Sequence, residues 1–197
     1  MRIAACLFLL FGCGIAVFLW PLMPAAAQED STHVSVIAWK PDGSQVAVGY
    51  SDGTLEIRNG TSGEIEQTLV GHSNYITAIA WHTTETQIIS GSGDISELYL
   101  WDLSTGTSYN LYSNHEFRST VKSVSWDTDA SQIIVSTLSD VQVWNALSSP
   151  PQFISQIHIP TVYRMVGLPS QSLIATQTHG DVILRDGVSF AQLSMVS

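Results

Sequence analysis

Two ladders of marker residues run through this sequence with nearly the same step, and no other feature limits the fold so strongly. Tryptophan ends an alternating run three times, as IAW at Ile37–Trp39, IAW at Ile79–Trp81 and VSW at Val124–Trp126, at steps of 42 and 45 residues. A second series reads LEIRN at Leu55–Asn59, LYLWD at Leu98–Asp102, VQVWN at Val141–Asn145 and VILRD at Val182–Asp186. Its markers Arg58, Trp101, Trp144 and Arg185 stand 43, 43 and 41 residues apart. Such a step means one supersecondary unit copied along the chain, here four times, each copy burying its apolar face on the next.

Inside each unit the period is two. In the first, Val34, Val36 and Ala38 alternate with polar or exposed positions, and Pro41-Asp42-Gly43 turns into a second strand over Gln45–Tyr50. Ser51-Asp52-Gly53 leads to Leu55-Glu56-Ile57, and Thr61-Ser62-Gly63 leads to a fourth strand over Glu66–Val70. Short strands joined by Gly, Asp, Ser and Pro turns predict an all-β protein. Beyond Leu22 no stretch sustains a 3.6-residue apolar stripe with caps.

These units resemble WD40 repeats, the blades of a β-propeller, from His33 to the C-terminus. The motifs are Gly71-His72 opening the second unit, Trp101-Asp102 closing its third strand, and Leu103-Ser104-Thr105-Gly106 in the turn that follows. The third unit carries His115 and Trp144-Asn145, while the first and fourth have Arg58-Asn59 and Arg185-Asp186 instead of Trp-Asp. The resemblance implies four four-stranded antiparallel blades, about 33–71, 72–114, 115–156 and 157–197, after a polar lead-in at 28–32. Since propellers close with about 4–8 blades, and seven is usual in this family, it also implies an incomplete ring.

The resemblance further implies a hydrogen-bonded set in each good blade: His before the first strand, Ser or Thr in the second, Asp in the next turn, Trp in the third. The second unit supplies His72, Ser90, Asp94 and Trp101, and the third His115, Ser136, Asp140 and Trp144. In the first unit His33 and Asp52 fit but Val48 and Arg58 do not. In the fourth, Ala175, His179 and Arg185 stand at the Ser, Asp and Trp positions, so no network is expected there. Ser, His and Asp together also suggest a catalytic triad, but a triad needs an exposed nucleophile beside an oxyanion hole, and no G-x-S-x-G elbow occurs. The expectation is a structural network and no enzyme.

The N-terminus is a separate matter. Arg2 precedes an almost continuous apolar run over Ile3–Leu22, followed by Pro24-Ala25-Ala26-Ala27 and the polar Gln28-Glu29-Asp30. This order predicts a signal peptide over 1–27, cut after Ala27, or, if uncut, a membrane anchor over 3–22. Either places the remainder outside the cytoplasm: secreted, periplasmic or on the cell surface. Both cysteines, Cys6 and Cys13, lie in this segment, so the rest of the chain has no disulfide or thiolate site.

Seventeen Asp and Glu against seven Lys and Arg give a formal charge of −10. A surface this acidic repels phosphate backbones, which argues against nucleic-acid partners. The six histidines show no metal-ligand spacing, and no EF-hand pattern occurs. No metal or cofactor is expected. The WD40 resemblance implies a scaffold whose loops bind a protein or peptide, and the leader makes the expected scaffold an exported one. A propeller module of a larger secreted hydrolase, or of a membrane-anchored sensor, stays open, and membrane contact is expected only if the leader is retained. The lengthened loops of the second and third units mark the candidate partner surface: Ile95, Ser96 and Glu97 after Asp94, and Glu116, Phe117 and Arg118 after His115.

Overall fold

The computed structural model describes residues 32–83, 86–93, 97–113, 119–127, 129–159, 164–168, 173–177, 180–186 and 191–196. Among the described residues sixteen strands fall into four sheets of four, each antiparallel and in chain order. The first holds β1 (Val34–Trp39), β2 (Gln45–Tyr50), β3 (Leu55–Asn59) and β4 (Ile65–Leu69). The second holds β5 (Ile76–Trp81), β6 (Gln87–Ser92), β7 (Leu98–Asp102) and β8 (Thr107–Asn110). The third holds β9 (Ser123–Trp126), β10 (Gln132–Ser136), β11 (Asp140–Asn145) and β12 (Gln152–His158). The fourth holds β13 (Arg164–Leu168), β14 (Leu173–Gln177), β15 (Val182–Asp186) and β16 (Gln192–Val196). These are the four blades expected from the repeats.

Turn chemistry explains why the third strand of each unit ends in Asp or Asn. The Asp102 carboxylate accepts the amides of Ser104 and Thr105, and Gly106 then takes φ +69°. Asn59 does the same for Thr61 and Ser62, ahead of Gly63 at φ +73°. An Asx side chain capping its own turn, with glycine supplying positive φ, closes the hairpin to the outer strand.

The core lies between blades. Ala47, Leu55 and Ile57 of the first pack against Ile76, Trp81, Ile88 and Trp101 of the second. Ile89, Leu98 and Leu100 pack against Val121, Val124, Trp126, Val135 and Trp144 of the third. Ile134, Val141 and Val143 pack with Ile174 of the fourth. First strands of successive blades, β1, β5, β9 and β13, are neighbours. A cross-tie fastens them: Trp81 Nε1 donates to the Ala38 carbonyl at 2.9 Å, and Trp126 Nε1 to the Ala80 carbonyl at 3.4 Å. Close approach is secured by Gly91, where a Cβ would lie 2.2 Å from Val121 Cγ1.

The arc is open. Trp39, at the repeat position of Trp81 and Trp126, is 56% exposed where they are 6% and 5%. At the other end Val182, at the position of the fully buried Leu55 and Leu98, is 42% exposed.

Two sequence assignments are corrected by register. Ser136 was aligned with Ser90. However, Trp101 pairs with Ile88 and Trp144 with Ile133, so the counterpart of Ser90 is Val135. Ser136 falls on the opposite face, at the position of Gly49 and Gly91 beneath the next blade's inner strand. In the fourth blade Arg185 pairs with Ile174, which puts Thr176 rather than Ala175 at the serine position. A network does form there: Arg185 Nε donates to the buried Thr176 hydroxyl at 3.3 Å.

Candidate functional site

The second blade contains a constellation that resembles a Ser–His–acid triad by distance. His72 Nε2 lies 2.7 Å from Ser90 Oγ, and His72 Nδ1 lies 3.2 Å from Glu97 Oε2. The chemistry is nonetheless closed. Trp101 Nε1 donates to the same Ser90 oxygen at 2.8 Å, so the serine proton is directed at His72 Nε2. The remaining imidazole proton then sits on Nδ1 and is donated to Glu97. Ser90 is fully buried, and the His72 ring is enclosed by the stacked rings of Tyr99 and Trp101. Burial pushes the His72 pKa down to about 4 against the raising effect of Glu97's charge and hydrogen bond, so the ring is neutral near pH 7.

Glu97 was expected on a partner surface, and the structure corrects that. Its side chain is largely buried and occupied, accepting from the Ser73 amide and hydroxyl as well as from His72. Burial raises its pKa, but these donors outweigh that and hold it below the usual glutamate value. Asp94, expected as the acid of this set, lies outside the described residues, as do Ile95 and Ser96.

The third blade solves the same packing problem with other residues. Tyr112 donates its hydroxyl to Gln142 Oε1 at 2.6 Å in the buried interior, and its ring lies 5.9 Å from that of Trp144. His72 and Trp101 stand similarly, at 6.1 Å. Asp140, expected in a set with His115, instead lies 3.3 Å from Nδ1 of the exposed His158 and accepts the Ser139 hydroxyl. His115, Glu116, Phe117 and Arg118 lie outside the described residues. The Ser136 hydroxyl is buried with no hydrogen-bond partner among the described residues. In the first blade, Arg58 takes the tryptophan position and meets Glu56 at 2.7 Å and the Tyr50 hydroxyl at 3.3 Å.

Among the described residues no three His, Asp or Glu side chains converge as metal ligands would. A cleft of about 520 Å³ lies between the second and third blades at the opposite strand ends. His82, Asp102, Thr105 and Tyr109 line it with Ala146 and Pro151.

The comparisons with known proteins agree with this geometry. The model of the anaphase-promoting complex subunit 4 WD40 domain matches residues 17–84. The WD repeat-containing protein slp1 of Schizosaccharomyces pombe is 26% identical over 153 residues, 77% of this chain and 30% of that protein. The chain is similar to the WD40-repeat family in both sequence and fold.

Among other WD40 relatives, the human U5 small nuclear ribonucleoprotein 40 kDa protein is 38% identical over 66 residues, 34% of this chain and 18% of its own. A chain in the crystal structure of the mitotic checkpoint complex superposes with TM-score 0.67 at 24% identity, covering 85% of this chain and 52% of that one. The Cps50 (Swd1) β-propeller domain of Myceliophteria thermophila gives 0.69 at 17% identity, covering 84% and 56%. This chain spans 30% or less of the curated relatives named here, and about half of the solved chains.

The relatives overturn the expected location outside the cytoplasm. They are eukaryotic WD-repeat proteins whose names connect them with a small nuclear ribonucleoprotein and with microtubules, not with export.

Proposed function

We propose that this chain is a non-enzymatic scaffold that binds a protein or peptide through the loops of its blades. One observation carries the reading: the Ser–His–acid set is sealed in the second blade, each of its polar groups engaged by another. A hydroxyl that accepts from Trp101 and donates to His72, with no access to solvent, has no route to a substrate. What remains is a stack of rigid blades with loops at their ends, the usual placement of a binding surface. Similarity to the WD40-repeat family supports the same role, as does the presence of its fold in the mitotic checkpoint complex. Within that role, the loops after Asp94 and His115 supply the contact, with Phe117 and Arg118 as its aromatic-plus-arginine anchor.

The test compares the full chain with the Phe117→Ala/Arg118→Ala double variant in affinity capture and in thermal melting. The scaffold reading expects a protein retained by the parent and lost by the variant, with melting unchanged. Equal capture by both would remove these loops as the binding surface. A melting loss worth ~3 kcal/mol or more would make Phe117 core.

A further inference from the structure

The joint between the first and second blades and the joint between the second and third are built alike, and two differences open a cleft in the latter. After each third strand one amide ties back to the same blade's preceding turn: Leu103 N–H donates to the Thr86 carbonyl, and Ala146 N–H to that of Ser131. Leu103 and Ala146 are therefore counterparts. Between the first and second blades, the Leu103 side chain packs against the cluster that holds Ile57 and Trp81. Between the second and third, the much smaller Ala146 takes its place, and the cleft of about 520 Å³ lies beside it.

An acid also closes the first joint. Glu66, the extra residue of a bulge in β4, accepts from the side-chain amides of Gln45 and Asn59. Register puts Gln87 and Asp102 at the positions of Gln45 and Asn59, and both line the cleft. Strand β8 pairs without a bulge and carries no acid, so no residue in it corresponds to Glu66.

We propose that this cleft is a second binding surface, taking an extended peptide of a partner protein with an aliphatic side chain beside Ala146 and a lysine on Asp102. It lies at the opposite strand ends from the loops after Asp94 and His115 and does not rest on them. The aliphatic group fills the space that Leu103 fills in the first joint, against Leu100, Ala130 and Pro151, with the 80% exposed Leu147 at the rim. The lysine follows from the exchange of Asn59 for Asp102. An amide pair grips a carboxylate, whereas Asp102 presents a negative charge. Among the described residues lining the cleft, no lysine or arginine neutralises it. Asp102 Oδ1 accepts from the Ser104 hydroxyl and amide and from the Thr105 amide. These donors hold the carboxyl below the usual aspartate value and leave Oδ2 for an incoming donor. One available oxygen suits the point charge of an ammonium better than the two-pronged fork of a guanidinium. Side chains two residues apart share a face in an extended peptide, so the recognised pattern is Leu-x-Lys.

NMR titration of the full chain with acetylated, amidated Gly-Leu-Ala-Lys-Gly tests this, beside versions with alanine for leucine and glutamate for lysine. The expected result is saturable shifts of the Ala130, Ala146 and Tyr109 signals, with each altered peptide at least about tenfold weaker. Asp102→Asn keeps the turn, as Asn59 does, and recreates the pair that holds Glu66. It is expected to weaken the lysine peptide at least about tenfold and to strengthen the glutamate one. Ala146→Leu restores the leucine of the first joint and is expected to abolish binding without lowering the melting temperature; if that variant fails to fold, Asp102→Asn decides alone. The Phe117→Ala/Arg118→Ala variant is expected to bind the peptide as the parent does. A loss there would overturn the cleft as the site while leaving the scaffold reading intact. Absence of saturable shifts at the cleft, equal affinity for the lysine and glutamate peptides, or undiminished binding by a folded Ala146→Leu chain would also overturn the proposal.

Discussion

Trp81 of the second blade donates its indole N–H to the main-chain carbonyl of Ala38 in the first, at 2.9 Å. The residue thus does two jobs, filling the inter-blade core with its rings and satisfying a carbonyl on the neighbouring inner strand. Trp126 repeats the contact to Ala80 one blade later. This cross-tie accounts for the first tryptophan ladder, as the Asx-capped turn accounts for the acidic or amide residue ending the second.

Replacing Trp81 separates the two jobs. Trp81→Phe keeps most of the apolar volume and removes the donor, which is expected to cost about 1–2 kcal/mol. Trp81→Ala also opens a cavity and is expected to cost about 3–5 kcal/mol. Urea unfolding midpoints of the two variants check this, and a Trp81→Phe variant as stable as the parent would mean the hydrogen bond contributes nothing.

Two buried serines make a matched pair. Ser90→Ala strands the Trp101 indole N–H and the His72 Nε2 lone pair together, an expected loss of about 2–4 kcal/mol. The Ser136 hydroxyl makes no hydrogen bond among the described residues, so Ser136→Ala is expected to be neutral or stabilising, within about 1 kcal/mol. Thermal melting of both variants tests the corrected register. A large loss at Ser136 with none at Ser90 would reverse it.

Acid weakens the fold through His72. Its pKa is about 4 when folded and about 6.5 when unfolded, so between these values the unfolded chain binds the extra proton. The stabilisation is complete above pH 6.5 and is lost as pH falls through 4, to a total of about 3 kcal/mol. The stability difference between wild type and His72→Gln is therefore expected to shrink from pH 7 to pH 4. A difference that stays constant over that range would show that His72 does not titrate in this way.

The blade count, the turns and the limits of β2 were legible in the sequence because period-two alternation and turn residues repeat on a fixed step. Register in β10 and β14 was not. Ile133, Ile134, Val135 and Ser136 are all buried, so both faces of that strand are covered and no alternation marks which side each residue takes. A one-residue slip then moved Ser136 onto the wrong face, and the same slip exchanged Ala175 for Thr176. Glu97 was missed as the partner of His72 because the two stand 25 residues apart in sequence, and loop length alone does not disclose such a contact. Tyr112 was legible only through Gln142, two residues before Trp144, where the second blade has Tyr99 before Trp101.

The His72–Ser90–Trp101–Glu97 set is a structural brace, and NMR of the His72 imidazole during a pH titration tests that most directly. The predicted result is a neutral ring with its proton on Nδ1 down to about pH 4, with the Trp101 indole proton protected throughout. Protonation near the ordinary histidine value of about 6.5, with the Trp101 indole exchanging freely, would contradict it: the site would then be open to solvent and Ser90 available for chemistry.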